Sequence, residues 1–194
     1  MTNENTVSWR EKYRVRIGFV FGILFIWRVQ PRNIVCLFIG LLIAFIGILI
    51  RQWAAGCVKK MDELATSGPY AMVRHPLYVG SFIAAVGLVF ASSSFALKLS
   101  SPFLDRTLFY WAVLWILFDS VYMPKILQEE ENVRNRFPGT CDDYYQKVPR
   151  FLPKEWKFNF STFELQVWKK NSEYASLLGY GIISLILIGR YLYH

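Results

Sequence analysis

The chain is poor in the residues on which most catalytic centres are built. It holds two histidines, His75 and His194, and three cysteines, Cys36, Cys57 and Cys141, which are far apart and show no CxxC spacing. Neither a zinc site nor a disulfide framework is therefore expected, and Cys36, inside an apolar run, reads as a membrane or core cysteine. No Gly-x-Ser-x-Gly elbow, His-Glu-x-x-His helix or glycine-rich phosphate loop occurs, which excludes the usual serine-hydrolase, zinc-protease and nucleotide-phosphate machinery. Charged residues make up only 19% of the chain, fewer than a soluble domain of this size carries. No repeat or low-complexity segment stands out. The first apolar run is not followed by a small-residue cleavage site, so no cleavable signal peptide is expected. Any chemistry here must run on positioning, hydrogen bonding and charge, with no metal ligand set.

What the chain has in abundance is apolar surface: 54% of its 194 residues are hydrophobic and 18% aromatic. Its length predicts one domain, residues 1–194. The apolar runs predict an all-α, polytopic membrane protein of about five transmembrane helices, over residues 15–29, 34–50, 77–97, 107–124 and 174–193. The run 34–50 is uncharged and the clearest span. The run 15–29 is short against the roughly 20 residues a span needs, but Arg28 and the flanking arginines can snorkel. Gln30-Pro31-Arg32-Asn33 joins the first two spans as a helical hairpin, and Gly80 and Gly87 permit close helix approach in the third. On this map seventeen of the basic residues fall on one face, in the N-terminal segment and loops 51–76 and 125–173, and five on the other. The positive-inside rule then places the N-terminus and these two loops in the cytosol. The net charge of +8 is explained by basic loops facing an anionic membrane surface; nucleic acid is not an expected partner.

One stretch interleaves turn-formers, aromatics and ionisable groups: Ser67-Gly68-Pro69-Tyr70-Ala71-Met72-Val73-Arg74-His75-Pro76-Leu77-Tyr78-Val79-Gly80. Gly68-Pro69 forces a turn. Pro76 biases His75 away from helix but suits the first turn of one. Arg74 and His75 are thus expected where a shaped loop enters a helix whose free N–H groups can meet a polar ligand. His75 reads as a ligand contact, against the plainer role of pinning its own loop. Tyr70 and Tyr78 read equally as belt aromatics and as a pocket lining. A second cluster, Glu129-Glu130-Glu131, reads as a solvated face or as part of a polar stripe. If the fourth span continues through Pro124, then Asp119, Tyr122, Lys125 and Glu129 fall within an arc of about 120°. Pro124 is able to kink that helix and spoil the alignment. Asp119 within a span is a site candidate or a helix-to-helix hydrogen bond. Arg150, between Pro149 and Pro153, is expected to pair with the acidic cluster.

Leu64-Ala65-Thr66-Ser67-Gly68-Pro69-Tyr70 and Arg74-His75-Pro76-Leu77-Tyr78-Val79-Gly80 resemble the signature of the isoprenylcysteine carboxyl methyltransferase and phospholipid methyltransferase superfamily. Glu129-Glu130, Val133, Phe137, Tyr144 and Val148-Pro149-Arg150-Phe151-Leu152-Pro153 resemble its second motif, and the likeness runs from about Ile34 to Pro153. The resemblance implies an integral-membrane enzyme using S-adenosylmethionine, multi-pass in a bacterial inner membrane or the endoplasmic reticulum. It implies cofactor contacts from Glu63, Leu64, Ala65, Tyr70, His75, Pro76, Leu77 and Tyr78, and catalytic roles for Lys125, Glu129 and Glu130. The acceptor implied is an isoprenylcysteine carboxylate or a lipid amine, on a prenylated or lipid substrate within membrane lipids. The chain departs from the pattern where Lys125 stands for the usual Arg, where Pro138 splits the Phe-Gly pair, and where Cys141 replaces the first Tyr. The tail from Glu155 lies beyond the usual core. Membrane sterol reductases using NADPH are similar at the Arg-His-Pro turn and form the alternative, though they usually carry Asn where Leu77 stands. A scaffold that kept the fold without catalysis is the third reading.

Overall fold

The structure, a computed structural model, describes residues 22, 25, 27–58, 63–93 and 102–193, and for 102–107 the backbone alone. Most of the expected first span, and residues 94–97 of the third, lie outside the described residues. Every regular element among the described residues is helical.

Helix α1 runs Ile34–Cys57. The Asn33 side chain caps it, accepting from the amides of Val35 at 2.8 Å and Cys36 at 3.2 Å, which satisfies two of the donors a helix start leaves open. It runs past the expected end at Ile50 because its polar residues are satisfied within the fold. The Arg51 guanidinium grips both carboxylate oxygens of Glu173 at 2.8 Å and also bonds the Ser81 hydroxyl. Gln52 donates to Ser176 and accepts from the Trp168 indole.

Helix α2, Pro76–Ala91, lies along α1. Gly40, Ala44 and Gly47 face Gly80, Ala84, Gly87 and Ala91. A Cβ on Gly87 would come within 2.3 Å of the Ala44 amide, and one on Gly47 within 2.5 Å of the Ala84 amide. Only glycine and alanine allow this approach, the small-residue packing expected of apolar helices in lipid. Helix α2 stops at Ala91, before the expected 97. Ser92 and Ser93 there turn their hydroxyls onto the Val89 carbonyl, at 2.6 and 3.0 Å, a local alternative to the helical ladder.

Helix α3 (Pro102–Leu117), a widened turn (Phe118–Tyr122) and helix α4 (Met123–Arg136) form one continuous rod. In the turn the Met123 amide bonds the Phe118 carbonyl, five residues back. Pro124 has no amide to give, and its ring would collide with the carbonyl four residues earlier in a regular helix. The wide turn absorbs that conflict, and the rod continues.

After a turn at Gly139 (φ 82°) come α5, Thr140–Lys147, an extended strap, α6, Leu165–Lys170, and α7, Tyr174–Leu192. The strap clamps the end of α1. The Glu164 amide bonds the Gly56 carbonyl at 2.9 Å, and the Asn171 amide side chain bonds Ala55 and Val58 carbonyls, partners for groups a helix end leaves open. At the other end of α7, Arg190 bonds the Trp27 and Val29 carbonyls at 2.7 and 2.8 Å, and Leu187 joins Val29, Leu37 and Ala91 in a small core. Helices α1 and α7 are long and apolar enough to cross a membrane; α2 is apolar but shorter. Phe38, Leu42, Leu178, Ile182 and Leu185 are exposed on α1 and α7, leaving apolar faces suited to lipid.

Candidate functional site

The loop before α2 takes the shape its glycine and prolines dictate. Gly68, at φ 60°, opens a short 3-10 turn, Gly68–Ala71, a conformation that glycine adopts without strain. His75 is the non-helical residue before α2, and Pro76 is its first helical residue.

The distal segment is tied to this loop. The Arg74 amide bonds the Pro149 carbonyl at 2.9 Å, the Arg74 Nε bonds the Val148 carbonyl at 2.8 Å, and the Tyr144 hydroxyl bonds the Tyr70 carbonyl at 2.7 Å. The two motifs, some 50 to 75 residues apart in sequence, therefore meet in space.

Glu130 is the hub of the meeting. Its Oε1 accepts from Arg74 Nη1 at 3.0 Å, His75 Nε2 at 3.1 Å and Arg150 Nε at 3.0 Å, and its Oε2 accepts from Arg150 Nη2 at 2.7 Å. Arg150 thus grips the carboxylate with two nitrogens, the strong form of this pair. Burial alone would raise the Glu130 pKa, but the bonds from Arg150 and His75 outweigh it and hold the group below the usual carboxylate value. An ionised carboxylate cannot donate, so His75 Nε2 carries the hydrogen and Nδ1 is left as an acceptor. Burial lowers the His75 pKa, and the pull of Glu130 offsets this only in part. The imidazole is neutral near pH 7.

Beside the hub, the Tyr78 hydroxyl donates to Glu129 Oε1 at 2.7 Å. Aromatic rings then form a continuous lane away from His75. Phe151 packs 6.4 Å from His75 and 5.8 Å from Phe118; Phe118 packs 4.6 Å from Phe82; Phe82 packs 5.4 Å from Trp115. Tyr122 joins Tyr78 to Phe118. Trp115, at the outer end, is exposed.

The expected site residues separate into two groups. His75, Tyr78, Glu129 and Glu130 are brought together, with Pro76 buried beneath them and Tyr70 buried behind the loop. The Leu77 carbonyl faces Arg51 and Ser81. Lys125 is half-buried and, among the described residues, makes no hydrogen bond or ion pair. Glu63, Leu64 and Ala65 lie ahead of the Gly68 turn, and Glu130 takes none of its bonds from them. Asp119 is exposed and lies within the wide turn, which changes the constant helical phase that the expected stripe assumes.

Reading the sequence missed Arg74 as a holder of Glu130. It also missed Tyr145, whose ring lies under the Arg74 guanidinium at 4.7 Å and the Arg134 guanidinium at 5.7 Å. The one available signal was their position beside the two motifs. On this side of the hub lies a cavity of about 790 Å³, lined in part by Arg74, Glu131, Arg134, Asp142, Tyr145 and Arg150. Among the described residues no cluster of three or more His, Cys, Asp or Glu is placed to hold a metal ion.

Residues 33–130, from the cap of α1 to the hub carboxylate, match the sequence model of a family described as phospholipid methyltransferase. The chain is 33% identical over 118 residues to the nickel-cobalt-cadmium resistance protein NccN of Alcaligenes xylosoxydans xylosoxydans, covering 60% of this chain and 47% of that protein. It is 28% identical over 149 residues to the cobalt-zinc-cadmium resistance protein CzcN of Cupriavidus metallidurans, covering 72% of this chain and 61% of that one. It is 36% identical over 95 residues to the protein-S-isoprenylcysteine O-methyltransferase of Schizosaccharomyces pombe, covering 49% of this chain and 35% of that one. The chain thus spans between about a third and three fifths of these relatives. No solved structure matches it.

Proposed function

This chain belongs to the phospholipid methyltransferase family, and from that premise we propose that it transfers a methyl group from S-adenosylmethionine to a lipid-linked acceptor at a membrane surface. The observation that carries this reading is the meeting of the Arg74-His75 loop with the paired glutamates through Glu130. We extend it to a single domain over residues 1–194, with five spans and a cytosolic N-terminus, multi-pass in a bacterial inner membrane or the endoplasmic reticulum. The seventeen-to-five placement of basic residues and the exposed apolar faces of α1 and α7 support that arrangement.

The donor, when bound, supplies an electrophilic methyl on a sulfonium. What the protein must add is alignment and exclusion of water. Tyr70, His75, Pro76, Leu77 and Tyr78, with Glu63, Leu64 and Ala65, are the proposed holders of the donor. Neutral His75, its Nε2 hydrogen committed to Glu130, offers Nδ1 to a hydroxyl or amine of the ligand. The cavity beside the hub falls in the range of about 300–1,000 Å³ that holds small ligands.

Glu129 and Glu130 have different proposed parts. Glu130 accepts four hydrogen bonds and is fully engaged in holding Arg74, His75 and Arg150 in place. Among the described residues Glu129 has a single donor, Tyr78, and it is the better proton acceptor for an amine substrate. A carboxylate acceptor needs no base. Lys125 is the proposed counter-charge to such an acceptor, as a point charge without the bidentate fork of arginine. The ring lane from Trp115 to Phe151 is the proposed path for the acceptor's apolar tail.

The test is incubation of the protein, in nanodiscs, with methyl-labelled S-adenosylmethionine and fractionated lipid extracts. Label entering a lipid amine or an isoprenylcysteine carboxyl names the acceptor. Glu129→Gln is expected to slow amine methylation by about 10²- to 10⁴-fold and carboxylate methylation far less. Absence of label from every lipid fraction would overturn the reading.

A further inference from the structure

The stretch that matches the family model ends at residue 130, yet the tail beyond it reaches back to the start of α2, where His75 and Tyr78 stand. It does so through Arg51, in the last turns of α1. The guanidinium meets three partners at once. Nη2 lies 2.8 Å from both carboxylate oxygens of Glu173, just ahead of α7. Nη1 bonds the Ser81 hydroxyl and faces the Leu77 carbonyl at 3.4 Å. The Ser81 hydroxyl in turn donates to that same carbonyl at 2.9 Å.

Little in this route is free to shift. The Arg51 stem passes Gly80, where a Cβ would come within 2.8 Å of Arg51 Cγ, so a side chain there would crowd the way. The Arg51 and Glu173 side chains are 23% and 12% exposed; each charge is shielded from water and depends on the other. A planar guanidinium held by two oxygens is locked in orientation, which sets where its remaining nitrogen meets α2. Leu77 is the second residue of that helix. The next residue, Tyr78, donates to Glu129 at 2.7 Å, and His75, ahead of the helix, bonds Glu130 at 3.1 Å. Holding a carbonyl and a hydroxyl of α2 fixes the rotation of its first turn about the axis, and so the aim of Tyr78 and His75.

We propose that Arg51 and Glu173 are positioning residues: through this pair the tail holds the start of α2 so that Tyr78 and His75 meet their glutamates. The effect of the pair on ligand binding rests on the methyl-donor reading above; its effect on the His75 ring does not.

The experiment uses the full chain in detergent with two readouts, calorimetry with S-adenosylhomocysteine and the NMR spectrum of ring-labelled histidine. In a His194→Gln parent, His75 is the one labelled ring. The parent is expected to show a single tautomer, with the hydrogen on Nε2. Glu173→Gln keeps the volume and removes the charge. It is expected to weaken S-adenosylhomocysteine by about threefold to tenfold, a fraction of one charged hydrogen bond, and to mix the two tautomers of His75. Arg51→Lys is expected to do the same, since a point charge cannot serve all three partners. Glu173→Asp, which keeps the carboxylate, is expected to recover part of the binding. Asn171→Ala is the control. It removes bonds to the Ala55 and Val58 carbonyls, which tie the tail to the end of α1 without touching α2. It is expected to lower the thermal midpoint, to change binding by less than about twofold and to leave the His75 spectrum as it was. An unchanged His75 spectrum in Glu173→Gln, or equal effects of Glu173→Gln and Asn171→Ala on both readouts, would overturn the positioning role and leave the methyl-donor reading intact. A parent that binds no S-adenosylhomocysteine overturns the methyl-donor reading, and the His75 spectra then decide the positioning role alone.

Discussion

Helix α2 has two unlike flanks. Toward α1 it presents Gly80, Ala84, Gly87 and Ala91, and the backbones nearly touch. Toward α3 and α4 it presents Tyr78 and Phe82, which meet rings at 4.6 to 5.7 Å and a carboxylate at one end. The first flank has little that can move aside, because most of the atoms its glycines meet are backbone. The second is made of side chains, which change rotamer without breaking a helix. The glycine seam is thus a fixed reference, and the ring lane is where room can be made. His75 and Glu130, at the polar end of the lane, complete that flank.

The largest effect is expected at the polar end of the open flank. Glu130→Ala leaves the Arg74 and Arg150 guanidiniums facing each other with no carboxylate between them. A loss of about 3–5 kcal/mol is expected, the cost of orphaning one side of a shielded ion pair, measured by thermal or denaturant unfolding in detergent. A loss below about 1 kcal/mol would mean that the pairing of the two motifs is not held by this hub.

Gly87→Leu attacks the sealed flank. Its Cβ alone would meet the Ala44 amide at 2.3 Å, so α1 and α2 must separate. We expect a loss of roughly 1–3 kcal/mol, or more if the helices cannot part. Phe82→Leu, on the other flank, is expected to cost less than half as much. Equal costs would erase the distinction between the flanks.

Tyr78→Phe removes one charged hydrogen bond, to Glu129, and keeps the ring. A stability loss of about 1.5 kcal/mol is expected, with a larger fall in turnover on an amine acceptor than on a carboxylate. Trp115→Ala, at the exposed mouth of the lane, is expected to change stability by under about 1 kcal/mol but to raise the KM for long-tailed acceptors over short ones. An unchanged KM would remove the lane from the account.

The smallest effect concerns protons. The sealed seam has no titrating group, so the dependence near neutral pH belongs to the open flank, where His75 stands. Its pKa is lowered by burial from the ordinary 6.5. The unfolded chain therefore takes up a proton at a higher pH than the folded one, and stability is full above 6.5 and declines as the pH falls below it. His75→Gln is expected to flatten that decline in a series of thermal midpoints. Glu130, also lowered, loses stability in the same direction but only below 4.5.

The local features were legible in the sequence because glycine and proline act on their own backbone. The Gly68-Pro69 turn, the extended His75 and the helix start at Pro76 all follow from that. So did the pairing of Arg150 with an acidic residue. Which glutamate it takes was not legible, because the wide turn before Pro124 shifts the phase of everything after it, and sequence periodicity assumes a constant 100° step. Arg51 and Gln52 hid the last turns of α1, since their partners, Glu173, Ser176 and Trp168, lie over a hundred residues away. Ser92 and Ser93 ended α2 where hydropathy alone would continue it. Arg134 and Asp142 meet only because the chain reverses at Gly139.

The central claim is that the Arg74-His75 loop and the Glu130 hub form a methyl-donor site. It is met most directly by titrating detergent-solubilised protein with S-adenosylhomocysteine and, separately, with NADPH, by calorimetry. The account predicts binding of S-adenosylhomocysteine, weakened about tenfold or more in His75→Ala, and no heat from NADPH. Binding of NADPH alone, or of neither ligand, would contradict it.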